Sequence, residues 1–187
     1  MKLKTRLYGK TYEFHSIKEV LAKANEERTG DKLAGIAAES AEERIAAKVV
    51  LSEATVADLR NHPVVDYDQD EVTRIIQDQV NEKIYGEFKN MTIAQLREYI
   101  LDENTTAAHI HRLSRGLTSE VIAGVAKLMS NLDLIYGASK IVVTATCNTT
   151  IGVPGTFSTR LQPNHPTDHP DGVIASTMEG LSYGVGD

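Results

Sequence analysis

The sequence predicts a mainly α chain that opens on a small β-hairpin and closes on a single strand–helix unit. Three observations carry this. Polar and apolar residues alternate at the start, from Lys2 to Leu7 and again around Tyr12 and Phe14. Hydroxyl residues followed three positions later by a carboxylate or amide then recur ahead of apolar runs of helical period. The tail reads as a strand ending at Pro163, a proline-rich loop, a helix, and the opening of one more strand.

The hairpin turns at Gly9-Lys10, where glycine in the first turn position predicts a type II′ turn. Ser16 with Glu19 then opens a helix carrying Ile17, Val20, Leu21 and Ala24. Ser40 with Glu43 opens one carrying Ile45, Val49 and Val50. Thr55 with Asp58, a weaker match with Asp for Glu, opens a short turn stopped by Pro63, and Thr92 with Gln95 opens a helix carrying Ile93, Leu96 and Ile100. Between these, Val72, Ile76, Val80, Ile84 and Phe88 recur every fourth residue, which predicts one long amphipathic helix over about 70–88. Thr118 is expected to cap a further helix. Its face runs Val121, Val125, Leu128, Leu132, Ile135 with Ile122 and Met129 beside it, a stripe suited to core or subunit packing. Thr156 to Leu161 has strand character. Asp171 is expected to cap a helix carrying Val173, Ile174, Met178 and Leu181, ended by Gly180 or Gly184. The segments are therefore a hairpin at 1–15, a helical region at 16–150 and the strand–helix unit at 151–187.

Composition narrows the function. The 187 residues carry 20 Lys and Arg against 26 Asp and Glu, a formal charge of −6, with 41% hydrophobic and 25% charged residues. That is a globular composition, and an acidic chain is a poor nucleic-acid binder by bulk charge. No apolar run is long enough for a membrane span, and the basic start is not followed by the apolar core of a signal peptide. One cysteine, Cys147, excludes an internal disulfide and any CxxC metal site, and the default compartment is the cytosol. Charge is uneven: 33 charged side chains fall in residues 1–100 and 13 in residues 101–187. Chain buried within a larger body is charge-poor, so the second half reads as interior material and the chain is expected to be a fragment.

Few residues offer chemistry. His165 and His169 have H-x3-H spacing, but Pro163, Pro166 and Pro170 deny them the helix that would aim both imidazoles at one zinc. His109 and His111, two apart on a helix, point to different sides. Cys147 has no basic neighbour in sequence to activate it. Gly152-Val-Pro-Gly155 lacks phosphate-loop spacing and reads as a tight turn. Arg160 and Gln162 stand apart. Residues two apart on a strand share a face, and both sit at the C-terminal end of the predicted strand, where (β/α) barrels build their active sites. A structural salt bridge from Arg160 to a distant carboxylate is the alternative.

The run Asn148-Thr-Thr-Ile-Gly-Val-Pro-Gly-Thr-Phe-Ser-Thr-Arg-Leu-Gln-Pro-Asn164 resembles the large, catalytic subunit of ethanolamine ammonia-lyase. So do Lys18-Glu-Val-Leu-Ala-Lys-Ala-Asn25, Gly116-Leu-Thr-Ser-Glu-Val121, Asp133-Leu-Ile-Tyr-Gly137 and Glu179-Gly-Leu-Ser-Tyr-Gly-Val-Gly-Asp187, and the resemblance extends from Met1 to Asp187. It implies a helical N-terminal region followed by the first β/α unit of an incomplete TIM (β/α)8 barrel. A whole barrel takes roughly 250 residues. The implied activity is the adenosylcobalamin-dependent deamination of ethanolamine to acetaldehyde and ammonia, with the radical chemistry supplied by the cofactor. By position, Arg160 and Gln162 match residues that hydrogen-bond near the substrate hydroxyl. The asparagine and carboxylates that complete such a site fall beyond Asp187, as do most cobalamin contacts. The implied partners are a small subunit and further copies of both subunits; the implied location is the cytoplasm, often within a bacterial microcompartment. The loop around His165 and His169 departs from the more acidic stretch of the family. The chain alone is expected to be inactive; a non-catalytic helical subunit-interaction domain is the alternative.

Overall fold

The computed structural model describes residues 2–146, 150–155, 157 and 159–185. Two compact units divide the chain, residues 1–141 and 142–187.

The first unit begins with strands β1 (Lys4–Leu7) and β2 (Lys10–Glu13), paired antiparallel with Leu7 opposite Lys10. The turn residues are therefore Tyr8 and Gly9, not Gly9 and Lys10. Both have positive φ, 49° and 80°, which makes the turn I′-like rather than the expected II′. Leu3, Leu7 and Tyr12 pack from the hairpin onto the helical core.

Four of the helices start where their hydroxyl residues predict. In α1 (Ile17–Lys23) and α3 (Ala41–Glu53), Ser16 and Ser40 accept from the amides of Glu19 and Glu43. Those glutamates reach back one residue further than expected, to the amides of His15 (2.7 Å) and Glu39 (2.6 Å). In α4 (Val56–Asn61) and α7 (Ile93–Leu101), Thr55 with Asp58 and Thr92 with Gln95 close full reciprocal boxes. A short α2 (Thr29–Leu33) lies between α1 and α3; its N-cap residue, Arg28, makes no side-chain cap bond and the helix buries no residue.

The predicted helix over 70–88 is two helices, α5 (Glu71–Asp78) and α6 (Glu82–Phe88). Asn81 breaks it. Its Oδ1 accepts from the Ile84 amide (3.2 Å), and its own amide donates to Arg115 O (2.8 Å) beyond α8 (Ala107–Ser114). An apolar residue every four positions persists through such a break, so the stripe alone could not show it. Val80, Ile84 and Phe88 are buried, whereas Val72 and Ile75 are exposed.

The 121–135 stripe divides in the same way, into α9 (Ser119–Lys127) and α10 (Asn131–Ser139). Ser130 and Asp133 form a capping box at the junction. Val121 and Val125 enter the core, while Leu132 is 77% and Ile135 67% exposed. Thr118 holds the N-cap position of α9 but makes no side-chain cap bond, and its buried Oγ1 has no partner. Gly124 lets α9 approach α4 closely, since a Cβ there would sit 2.9 Å from Leu59 Cδ2.

The core joins the hairpin to α1, α3, α4, α6, α7, α8 and α9, with Leu51, Leu59, Ile93 and Leu96 fully buried at its centre. Burying each such aliphatic side chain is worth about 1.5–3 kcal/mol.

The second unit holds β3 (Ala145–Thr146), paired antiparallel with β4 (Thr150–Ile151), and one long helix, α11 (Pro170–Ser182). His169, not Asp171, is the N-cap of α11: its ring accepts from the Asp171 amide (3.3 Å), and Pro170 takes the first helical position. Proline suits that position because its missing N–H has no helical partner there. Gly184, with φ 79°, follows the last turn as expected. The strand expected at 156–161 is not formed as a ladder: residues 157 and 159–161 pair with no other strand. A parallel barrel strand draws its hydrogen bonds from neighbouring strands, and the described residues supply none beside it.

Candidate functional site

The segment leading into α11 is nonetheless ordered along the helix. Leu161 lies over Gly180, and the His165 ring lies over Gly172. In each case a Cβ on the glycine would collide with the overlying side chain. Four residues of extended chain span about 13 Å, and eight helical residues span about 12 Å. The two stretches therefore run alongside each other in opposite directions with matched lengths. Residues 161 and 165 share one face of an extended chain. On an extended chain the even-numbered neighbours of Leu161 alternate away from that side.

Those neighbours are Arg160 and Gln162, the pair picked out by the sequence, and the structure brings them together. With the carboxamide oxygen turned to the guanidinium, Gln162 Oε1 accepts from Arg160 Nη2 (2.5 Å) and Nε (3.3 Å). Both side chains are exposed. Among the described residues, no carboxylate lies within ion-pair distance of Arg160. The guanidinium keeps donors to spare after bonding Gln162. Together they form a donor-rich patch suited to a hydroxyl or carbonyl oxygen.

The other sequence candidates have structural duties. His165 Nδ1 accepts from the Thr167 amide (3.4 Å), and His169 caps α11. Their ring centroids are 6.5 Å apart in an edge-on arrangement. No group of three or more His, Cys, Asp or Glu placed to hold a metal occurs among the described residues. His109 closes a capping box with Thr106 at the start of α8, a duty that its spacing from Thr106 could have disclosed. Gly152 and Gly155 both have positive φ and form a turn, as read. Cys147 lies outside the described residues. No helix among the described residues is long and apolar enough to cross a membrane.

The family model described as Ethanolamine ammonia lyase large subunit (EutB) matches residues 12–187. The chain belongs to this family. It is 59% identical over its whole length to the ethanolamine ammonia-lyase large subunit of Escherichia coli (strain K12). It is 58% identical, again over its whole length, to the large subunit of Salmonella typhimurium (strain LT2). In each case the chain spans 41% of the relative's length.

The donor set at 160 and 162 does not fit a cobalamin. A guanidinium is always protonated and offers no lone pair to cobalt. Two exposed hydrogen-bonding groups on one short segment form no apolar cradle for a corrin ring. They fit a small polar substrate.

Proposed function

We propose that this chain is the N-terminal part of a catalytic subunit that deaminates ethanolamine to acetaldehyde and ammonia, with Arg160 and Gln162 gripping the substrate hydroxyl. The pairing of their side chains on the face turned away from α11 carries this reading. In a β/α unit, the helix covers one face of its strand, and the other face looks into the barrel. Leu161 over Gly180 supports this choice of faces. We take the stretch that ends at Gln162-Pro163 as the first barrel strand, whose ladder forms only when neighbouring strands are present. Arg160 supplies a fixed positive charge and Gln162 a neutral donor, and their mutual bond holds the guanidinium in one orientation.

Adenosylcobalamin, in this proposal, supplies the radical chemistry when bound. Its assignment rests on the family. A small subunit completes the assembly with further copies of both chains. Purified 187-residue chain, mixed with adenosylcobalamin and small subunit, is expected to release no acetaldehyde from ethanolamine. Measurable turnover would overturn the assignment of this stretch as an incomplete site.

A second reading, compatible with the first, gives the helical unit a role in assembly. Leu132, Ile135 and Ile122 are 77%, 67% and 52% exposed on α10 and α9. Apolar side chains of that size left in solvent mark association surfaces. Sedimentation of the chain against a Leu132→Ser, Ile135→Ser variant tests this; an unchanged mass distribution counts against it.

A further inference from the structure

The helical unit also holds a cationic cavity that the proposed deamination does not use. It measures about 850 Å³ and lies where the end of α1, the body of α3, the end of α9 and the start of α10 converge. Arg28, Lys48 and Lys127 line it, with Glu26 the single carboxylate; Leu128 and Leu134 form an apolar wall. The volume is within the range of small-molecule sites, roughly 300–1,000 Å³.

Its charge is unbalanced. Glu26 is committed to Lys48, at 2.6 Å. Lys127 Nζ donates to a neutral group, Asn25 Oδ1, at 2.5 Å; Asn25 in turn donates to Asp31 Oδ2 at 3.0 Å. Among the described residues, no carboxylate lies within ion-pair distance of Arg28 or Lys127. Burial, then the neighbouring Arg28 and Lys48, hold the half-buried Lys127 ammonium below its usual range, with Asp31 pulling the other way. A chain with a formal charge of −6 thus gathers three cations around one cavity, and among the described residues two of them form no ion pair.

We propose that this cavity binds a phosphate-bearing small molecule, its phosphate held by Arg28, Lys48 and Lys127 and its remainder lying against Leu128 and Leu134. Three cations from three separate elements suit a tetrahedral dianion, which offers three oxygens. A lone carboxylate is served by one forked arginine.

The test is thermal unfolding of the 187-residue chain with inorganic phosphate or pyrophosphate, against sodium chloride and sodium acetate at equal ionic strength. Phosphate and pyrophosphate are expected to raise Tm by about 3–6 °C at tenfold excess over their dissociation constant. Chloride and acetate are expected to give none of this shift. Lys127→Met and the exposed Arg28→Ala should each weaken phosphate binding at least tenfold. Lys127→Arg should retain it, and Lys83→Met on α6 should leave it unchanged. Should Lys127→Met not fold, Arg28→Ala decides. An equal response to acetate, no response beyond chloride, or undiminished binding by Arg28→Ala would each overturn the proposal.

Discussion

Thr55 and Thr92, the N-caps of α4 and α7, face each other in an isolated antiparallel bridge. Ile93 N donates to Ala54 O at 2.8 Å, and Val56 N donates to Met91 O at 3.0 Å. Each threonine thus starts its own helix while its neighbours lock the two starts together. Val56, Leu59, Ile93 and Leu96, all fully buried, follow directly from these two caps. Removing either hydroxyl should cost about 0.5–2 kcal/mol. We expect Thr55→Ala and Thr92→Ala to be non-additive, because they share one bridge. Urea unfolding of the two single variants and the double variant measures this, with Thr55→Ser as the variant that should restore stability.

The contact of Gly124 with Leu59 makes a second prediction. Gly124→Val should destabilise by roughly 1–3 kcal/mol through overpacking. Leu59→Ala is itself costly because Leu59 is fully buried, but combined with Gly124→Val the losses should fall short of their sum. Additive losses would place the strain elsewhere.

Arg97 ties α7 to α10 through Asp133, at 2.7 Å. The hydrogen bond from Arg97, then the Ser130 amide, hold the Asp133 carboxyl below its ordinary 3.8. A carboxyl depressed in the folded state binds protons more readily when unfolded. Its contribution is therefore complete above its unfolded pKa and disappears as pH falls through the lower, folded value. Asp133→Asn should accordingly be less stable than the parent at pH 6, with the gap closing below about pH 4. Denaturant midpoints from pH 6 to pH 2.5 would show it; a gap independent of pH would contradict the assignment.

In a full-length enzyme carrying this sequence, Arg160→Ala should lower kcat/KM by roughly 10–100-fold, the worth of one charged hydrogen bond. His169→Ala should cost mainly stability, through the cap of α11, and leave turnover within about threefold of the parent. Steady-state acetaldehyde formation separates the two. Equal losses would remove the reason for choosing the pair over the loop.

Much of the helical unit was legible because its signals are local. Ser16, Ser40, Thr55 and Thr92 each name a helix start through contacts within four residues. Asn81 and Ser130 lie outside what the stripes can show, because the apolar residues keep helical spacing across both breaks. Thr118 shows the reverse case, a hydroxyl placed as a cap but buried without the bond. The contact between Arg160 and Gln162 agrees with their spacing of two, because alternation needs no partner strand. The ladder expected around it was not met, because ladder bonds belong to neighbours and not to the segment itself.

The alignment of residues 161–165 with 172–180 has a consequence for insertions and deletions. Pleated chain has a parity that a helix lacks. Removing one residue between Leu161 and His165 would leave only one of them able to seat on its glycine. If His165 kept its place, the guanidinium and the carboxamide would be swung onto the helix side, and the greasy anchor would face the opposite way. Lengthening the proline loop at 166–168 would disturb neither. Spacing within the short stretch is thus the rigid quantity, and the loop beyond it is free to drift.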